Sequence, residues 1–218
     1  MVEEESAVDR AAESRRREFA IGRTCGRSAL SKLGFPPCAI PGGPHRAPLW
    51  PSNIVGSITH CAGFCAAAVA LQEDYVALGI DAEVDEELPS GVLAIISVDE
   101  ERQWLANAPG RLNWGRLLFS AKESVFKAWF PLTREWLSFE DAVVTFMPDD
   151  GTFVARLPHT LVQDCAGGAS WPLQHCKWTD TNGSVHCGGS VQGVCGPAPE
   201  PANHAFIRLI SWSAHGEP

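Results

Sequence analysis

The feature that most restricts how this chain can fold is the uneven placement of its charge. Of its 43 Asp, Glu, Lys and Arg residues, 37 lie before Leu157 and six from Leu157 onward. The first three-quarters has the mixed polarity that lets one face of an element be buried while the other stays wet. From residue 158 the text turns to Gly, Pro, Ser, Cys and His with little period, and this last quarter, 158–218, reads as a loop-rich or disordered tail. The length of 218 residues and the 45% hydrophobic content allow one ordinary core or two small ones. No apolar run approaches the roughly 18 residues that a membrane span needs, and the acidic start MetValGluGluGluSer does not resemble a signal peptide, so a cytoplasmic protein without a membrane partner is expected. The net charge of −9 argues against binding nucleic acid through its phosphates. Any phosphate should be held locally, in a pocket.

Eight cysteines divide into an early four (Cys25, Cys38, Cys61, Cys65) and a late four (Cys165, Cys176, Cys187, Cys195). None forms a Cys-x-x-Cys pair. The early four read as small apolar core residues of a reduced compartment. The late four come with His159, His175 and His186, but spacings of eleven, eleven and eight match no common zinc frame.

Periodicity predicts a helix from about Ala7 to Leu33, stopped by Gly34-Pro36-Pro37, with Arg16, Arg23 and Arg27 close together on its wheel and Arg15 one step around. A Pro/Gly-rich surface loop follows at 40–51. Residues 54–61 and 64–71 read as a hairpin, and 75–83 as a third strand. On that strand Ala77, Gly79, Asp81 and Glu83 share one face. A short helix precedes Ser97-x-x-Glu100, which reads as a capping box for the next one. A longer helix is expected over 114–130, ended by Pro131, and then a hairpin from 137–146 and 152–157.

Asp81 and Glu83 at one strand end, with Glu123 from a helix, would offer three carboxylates to one point. Oxygen donors of that kind suit Mg²⁺ and a substrate phosphate, and Lys127, one turn from Glu123, would face the same phosphate. The spacing equally allows a plainer arrangement, in which Glu123 and Lys127 are a surface pair and Asp81 and Glu83 open an exposed loop.

GlySerIleThrHisCys (56–61), GlyIleAspAlaGlu (79–83) and PheSerAlaLysGluSerValPheLysAlaTrpPheProLeuThr (119–133), in that order and at these separations, resemble the 4′-phosphopantetheinyl transferases of the Sfp-type, enterobactin-synthetase-component-D-like branch found in actinobacteria. The likeness covers about residues 13–157. It implies an α+β fold of two similar, pseudo-symmetric halves, about 1–80 and 81–157, with an atypical C-terminal quarter. It also implies an enzyme that moves the 4′-phosphopantetheine arm of coenzyme A onto a serine of an apo acyl or peptidyl carrier protein and releases 3′,5′-ADP. By the same resemblance Asp81, Glu83 and Glu123 hold Mg²⁺ against the coenzyme A pyrophosphate and Lys127 contacts that pyrophosphate; the serine nucleophile must lose its proton, and Glu123, directly or through a metal-bound water, is the best-placed base. Thr59, His60, Arg15 and Arg23 match the residues at the adenosine 3′-phosphate. The basic residue that precedes Gly-x-Pro in the family is absent, so that His45 or Arg46 takes its place.

A carrier would dock near the Lys-Glu helix, and a monomer is expected. Carriers of fatty-acid, polyketide, siderophore or other nonribosomal-peptide synthesis are all compatible. The chain enters the family pattern inside the arginine helix, and the Trp-containing strand pair that should follow Leu157 is not visible in the pattern. A late start and a divergent or frame-shifted last quarter are therefore expected. Two other functions remain compatible with the residues: a catalytically impaired relative that binds coenzyme A or a carrier, and a Mg²⁺-dependent phosphohydrolase.

Overall fold

A computed structural model describes residues 1–5, 8–110, 112–157, 174–181, 184–191 and 210–212. The chain divides into two compact units, Met1–Leu78 with Gln192–Pro218, and Gly79–Val191. Each lays one long helix on a β-sheet.

In the first unit α1 (Val2–Glu5) precedes α2 (Glu13–Lys32), and β1 (Ile54–Cys61) pairs with β2 (Phe64–Leu71) in register from Ile54↔Leu71 to Cys61↔Phe64. The tight turn is made possible by Gly63, whose φ of +74° a side chain would oppose. Helix α2 starts six residues later than the periodicity predicts, because Arg16 turns back and donates to the carbonyls of Asp9 and Ala11, closing off the chain before Glu13. Its buried side carries Cys25, Ala29 and Leu30. Cys25 and Ala29 pack with Cys65 and Ala67, and Leu30 with Ile40 and Ile54. Two of the early cysteines, Cys25 and Cys65, are thus core residues, while Cys38 and Cys61 are half-buried.

The second unit contains β3 (Ala77–Val84), α3 (Val92–Ile96), α4 (Asp99–Leu105), α5 (Trp114–Thr133), β4 (Val143–Met147) and β5 (Thr152–Arg156). Strands β6 (Gln174–Thr181) and β7 (Ser184–Val191) complete a five-stranded sheet in the order β3-β7-β6-β5-β4. Trp104, Trp114, Phe146 and Phe153 form an aromatic core with ring centroids 5.0–6.0 Å apart.

Four details differ from the sequence expectation. Glu101, not Glu100, accepts the N–H of Val98 at the start of α4, and Ser97 Oγ instead donates to the Leu93 carbonyl. The apolar Val98 sits at the cap because the carboxylate three residues on supplies the bond. Helix α5 runs through Pro131 to Thr133 and ends at Arg134 with φ +61°. A proline this near the end removes only one helical bond. The stretch before β4 is not strand but a 3-10 turn, Phe139–Asp141, with Asp141 accepting the Ser138 N–H.

The last difference is the largest. The expected tail supplies β6 and β7, paired from Gln174↔Ser190 to Thr181↔Ser184, and β6 contains Trp178. The Trp-containing strand pair is therefore present. Of the strand-like run 206–212, Ile210–Trp212 forms β8 beside β2. His159 and Cys165 lie in segments outside the described residues, as does Cys195.

Candidate active site

The second unit's site is built where β3 passes under α5. Gly79 is the reason they can approach so closely: a Cβ there would stand 1.9 Å from the Ser124 carbonyl oxygen and 2.8 Å from the Ala128 nitrogen. Both are backbone atoms of α5, so no rotamer could relieve the clash. Two residues further along the same strand face, Asp81 is buried, and Lys127 Nζ donates to its Oδ1 at 2.6 Å and to the Ile80 carbonyl at 3.2 Å. Glu83, next on that face, accepts from Arg116 Nη1 at 3.2 Å. Arg116 also donates to the carbonyls of Glu86 and Glu87, fixing the loop beyond β3. Asp85 holds the start of α5 through bonds to the backbone and side chain of Asn113, at 3.0 Å each.

Glu123 is half-buried on the same helix. Burial, and then the negative charge of Asp81, push its carboxyl above the usual range, with Lys127 partly opposing. Glu83 is raised for the same two reasons, against Arg116 and Lys127. Glu83 and Glu123 thus both feel the charge of Asp81. Among the described residues, however, no three such groups converge in metal-holding geometry. Three like charges repel, and Asp81 and Glu83 each turn to an available cation instead. The donor set nevertheless fits a hard divalent cation: it is all oxygen, acidic and partly desolvated, and such a cation would offset the charge that raises Glu83 and Glu123. The plainer arrangement left open by spacing does not hold for Asp81, which is buried and paired across elements rather than opening an exposed loop.

The first unit gathers a separate cationic group. Arg15 Nη1 lies 3.2 Å from His60 Nε2 and 3.3 Å from Glu18 Oε2. Thr59 and His60, being adjacent on β1, leave opposite faces, so that Thr59 is buried and His60 exposed. Arg23 is 5% exposed, its guanidinium 4.3 Å from the centre of the Phe19 ring, and its Nε has no hydrogen-bond partner among the described residues. Burial lowers its proton affinity; Glu4 opposes this, and the like charges of Arg15 and Arg27 add to it. Arg27 is engaged elsewhere, with its Nη1 2.6 and 2.8 Å from the Glu4 carboxylate, which also accepts the Ile40 N–H at 2.8 Å. The arginines are therefore not one solvated face. His45 and Arg46 sit consecutively in the left-handed region, φ +51° and +66°, at an exposed turn that the Gly42↔Pro48 bridge closes. Arg116 and Glu101 escaped the sequence reading. For Arg116 a signal existed: it lies seven residues before Glu123 and eleven before Lys127, within about 40° on a helical wheel.

Residues 3–70 match the model of the 4′-phosphopantetheinyl transferase N-terminal domain, and residues 77–185 that of the 4′-phosphopantetheinyl transferase superfamily. The 4′-phosphopantetheinyl transferase Svp of Streptomyces mobaraensis is 47% identical over 208 residues, covering 93% of this chain and 83% of Svp. The chain belongs to the 4′-phosphopantetheinyl transferase family. Npt of Nocardia iowensis is 49% identical over 149 residues, covering 68% of this chain and 67% of that protein. PptT of Mycobacterium tuberculosis is 46% identical over 160 residues, covering 71% and 70%. This chain is accordingly a 4′-phosphopantetheinyl transferase, an enzyme that uses coenzyme A as co-substrate and carrier-protein domains as acceptors. A match to 93% of the chain necessarily runs past Leu157, and the superfamily model extends to residue 185, so that residues 158–185 lie within the matched span. No helix among the described residues is long and apolar enough to cross a membrane.

Proposed function

We propose that this enzyme transfers the 4′-phosphopantetheine arm through the Asp81, Glu83, Glu123 and Lys127 group, with Mg²⁺ held by the three carboxylates. The observation that carries the proposal is the acidic group on the β3–α5 pair, with Lys127 2.6 Å from Asp81 and Glu123 raised by burial and by Asp81's charge. Bound there, Mg²⁺ supplies charge neutralisation at the pyrophosphate. Glu123 takes the proton of the carrier's serine hydroxyl as the serine oxygen bonds to the phosphorus of the pantetheine phosphate. The pyrophosphate P–O bond breaks, and 3′,5′-ADP leaves with the electron pair. Lys127, released from Asp81 once a phosphate or cation competes for it, stabilises the charge that grows on the leaving group.

Arg15, Arg23 and His60, with Thr59 beside His60 on β1, receive the adenosine 3′-phosphate. A buried guanidinium whose Nε lacks a hydrogen bond is a natural partner for a dianion. His45 or Arg46, at the exposed turn, takes the adenine side. The carrier docks near α5, its acidic helix against basic or apolar groups there. The enzyme works as a cytoplasmic monomer and binds no nucleic acid.

The test is incubation with Mg²⁺, fluorescently tagged coenzyme A and an apo carrier domain, beside Glu123→Ala. Label transfer that requires both Mg²⁺ and Glu123 supports the proposal, whereas transfer that survives chelation refutes the metal assignment. Coenzyme A binding without transfer would instead indicate an impaired relative.

A further inference from the structure

Glu123 is preceded on α5 by a second lysine, Lys122. The structure takes it elsewhere. Lys122 is 2% exposed, and its Nζ donates to Glu101 Oε2 at 2.7 Å and to the Phe139 carbonyl at 2.7 Å. Glu101, 3% exposed, accepts two further bonds: Oε2 from the Val98 N–H at 2.9 Å and Oε1 from the Val144 N–H at 2.8 Å. One buried ion pair thus joins the start of α4, the turn before β4, β4 itself and the middle of α5. Burial lowers the proton affinity of Lys122, while Glu101 and then Glu140 support its charge.

On a helical wheel Lys122 lies about 100° from Glu123 and about 140° from Lys127, which are themselves about 40° apart. Anchoring Lys122 therefore fixes the rotation of α5 about its axis, and with it the direction in which Glu123 and Lys127 leave the helix. Apolar packing of α5 is generous, with Leu117, Leu118, Ala121, Val125 and Ala128 all at 1% exposure or less. Such packing is nearly non-directional and tolerates a small rotation; a charge locked into a five-membered hydrogen-bond set does not. Replacing a buried pair by apolar or neutral groups is often harmless to stability. A pair kept in a core that could hold without it is suited to fixing register.

We infer that Lys122 and Glu101 are positioning residues, which set the rotation of α5 so that Glu123 and Lys127 face the coenzyme A pyrophosphate. The inference rests on the active-site assignment above, and the wild-type reaction with its Glu123→Ala control tests that assignment separately. The experiment compares wild type with the double variant Glu101→Gln/Lys122→Met and with Lys122→Arg, which keeps the charge but not the length or shape. Thermal melting, coenzyme A labelling of an apo carrier, and the KM for the carrier are measured for each. Both variants should be folded at the assay temperature, hold the carrier KM within about threefold, and lose about 10²-fold in kcat, the scale expected when a reacting group is displaced by about an ångström. If wild type transfers label and the folded variants have kcat within twofold of it, the positioning role is overturned. A double variant already unfolded at the assay temperature overturns it too, since the pair would then be a stability element.

Discussion

Each unit of this enzyme rests on a 20-residue helix, but the two helices meet their sheets in opposite ways. In the first unit two glycines of α2 make the helix's close approaches, while Gly56 on β1 lies against Trp50 and the neighbouring strand. A Cβ at Gly22 would stand 3.1 Å from Ile58 Cγ2, and one at Gly26 2.7 Å from Ile40 Cδ1, both of them tips of side chains. In the second unit the glycine is on the strand, and Gly79 faces the backbone of α5. Helix α2 is polar and buries an arginine, Arg23; α5 is apolar and buries a lysine, Lys122. The half assigned to the anion is held through contacts that can adjust, and the half assigned to the chemistry by backbone that cannot.

The sharpest way to break that comparison is at the two ends of the rigid half. Glu123→Ala should reduce label transfer by about 10³-fold while leaving the melting temperature near that of wild type. Gly79→Ala should destabilise by about 3 kcal/mol or more, because the nearest atoms are main chain. Urea unfolding of the second variant measures this, and a loss below about 1 kcal/mol would mean that the β3–α5 contact is as adjustable as α2's.

On the first unit the expected effects are smaller and concern affinity. Arg15→Ala should raise the KM for coenzyme A about tenfold yet leave that for 3′-dephospho-coenzyme A unchanged. Equal effects on both would detach Arg15 from the 3′-phosphate. Gly22→Ala should fall within about 1 kcal/mol of wild type, since a helix gains from alanine what the Ile58 contact loses.

Smallest of all are two changes at the margins. Arg134→Gly should stabilise by up to about 1 kcal/mol, because φ +61° at the end of α5 is strained for arginine. Glu4 supplies a pH signature. Burial would raise its carboxyl, but the Ile40 N–H, the chain-start ammonium and Arg27 outweigh burial and hold it below the ordinary 4.5. Its contribution to stability is therefore full above that value and lost as pH falls through the lowered one, where the unfolded chain already binds the proton. The stability deficit of Glu4→Gln, followed by urea unfolding between pH 7 and pH 3, should accordingly shrink towards the acid end.

What could be read before folding was whatever repeats locally. The apolar stripe of α5 and the alternation of β1, β2 and β3 have a period, so the elements and the faces of Asp81 and Glu83 were visible. Composition hid the rest of the second sheet. Asn182-Gly183, between the paired Thr181 and Ser184, is a strong hairpin signal in a segment that its glycines and cysteines made look unstructured. The cap of α4 was misplaced by one residue because Ser97 is the better cap by type, although Glu101 has three donors to satisfy it. The destination of Lys122 was out of reach, since Glu101, Phe139 and Val144 are non-local partners that no spacing along α5 announces.

The pairing of β8 with β2 bears on how the molecule is made. Cys65 pairs with Trp212, and the chain between them passes through the whole second unit. During synthesis, the sheet that carries Thr59 and His60 must wait for its third strand until residues 210–212 have left the ribosome. A pairing closed over so long a stretch forms slowly. The edge of β2 is meanwhile a strand without its neighbour, open to the wrong one.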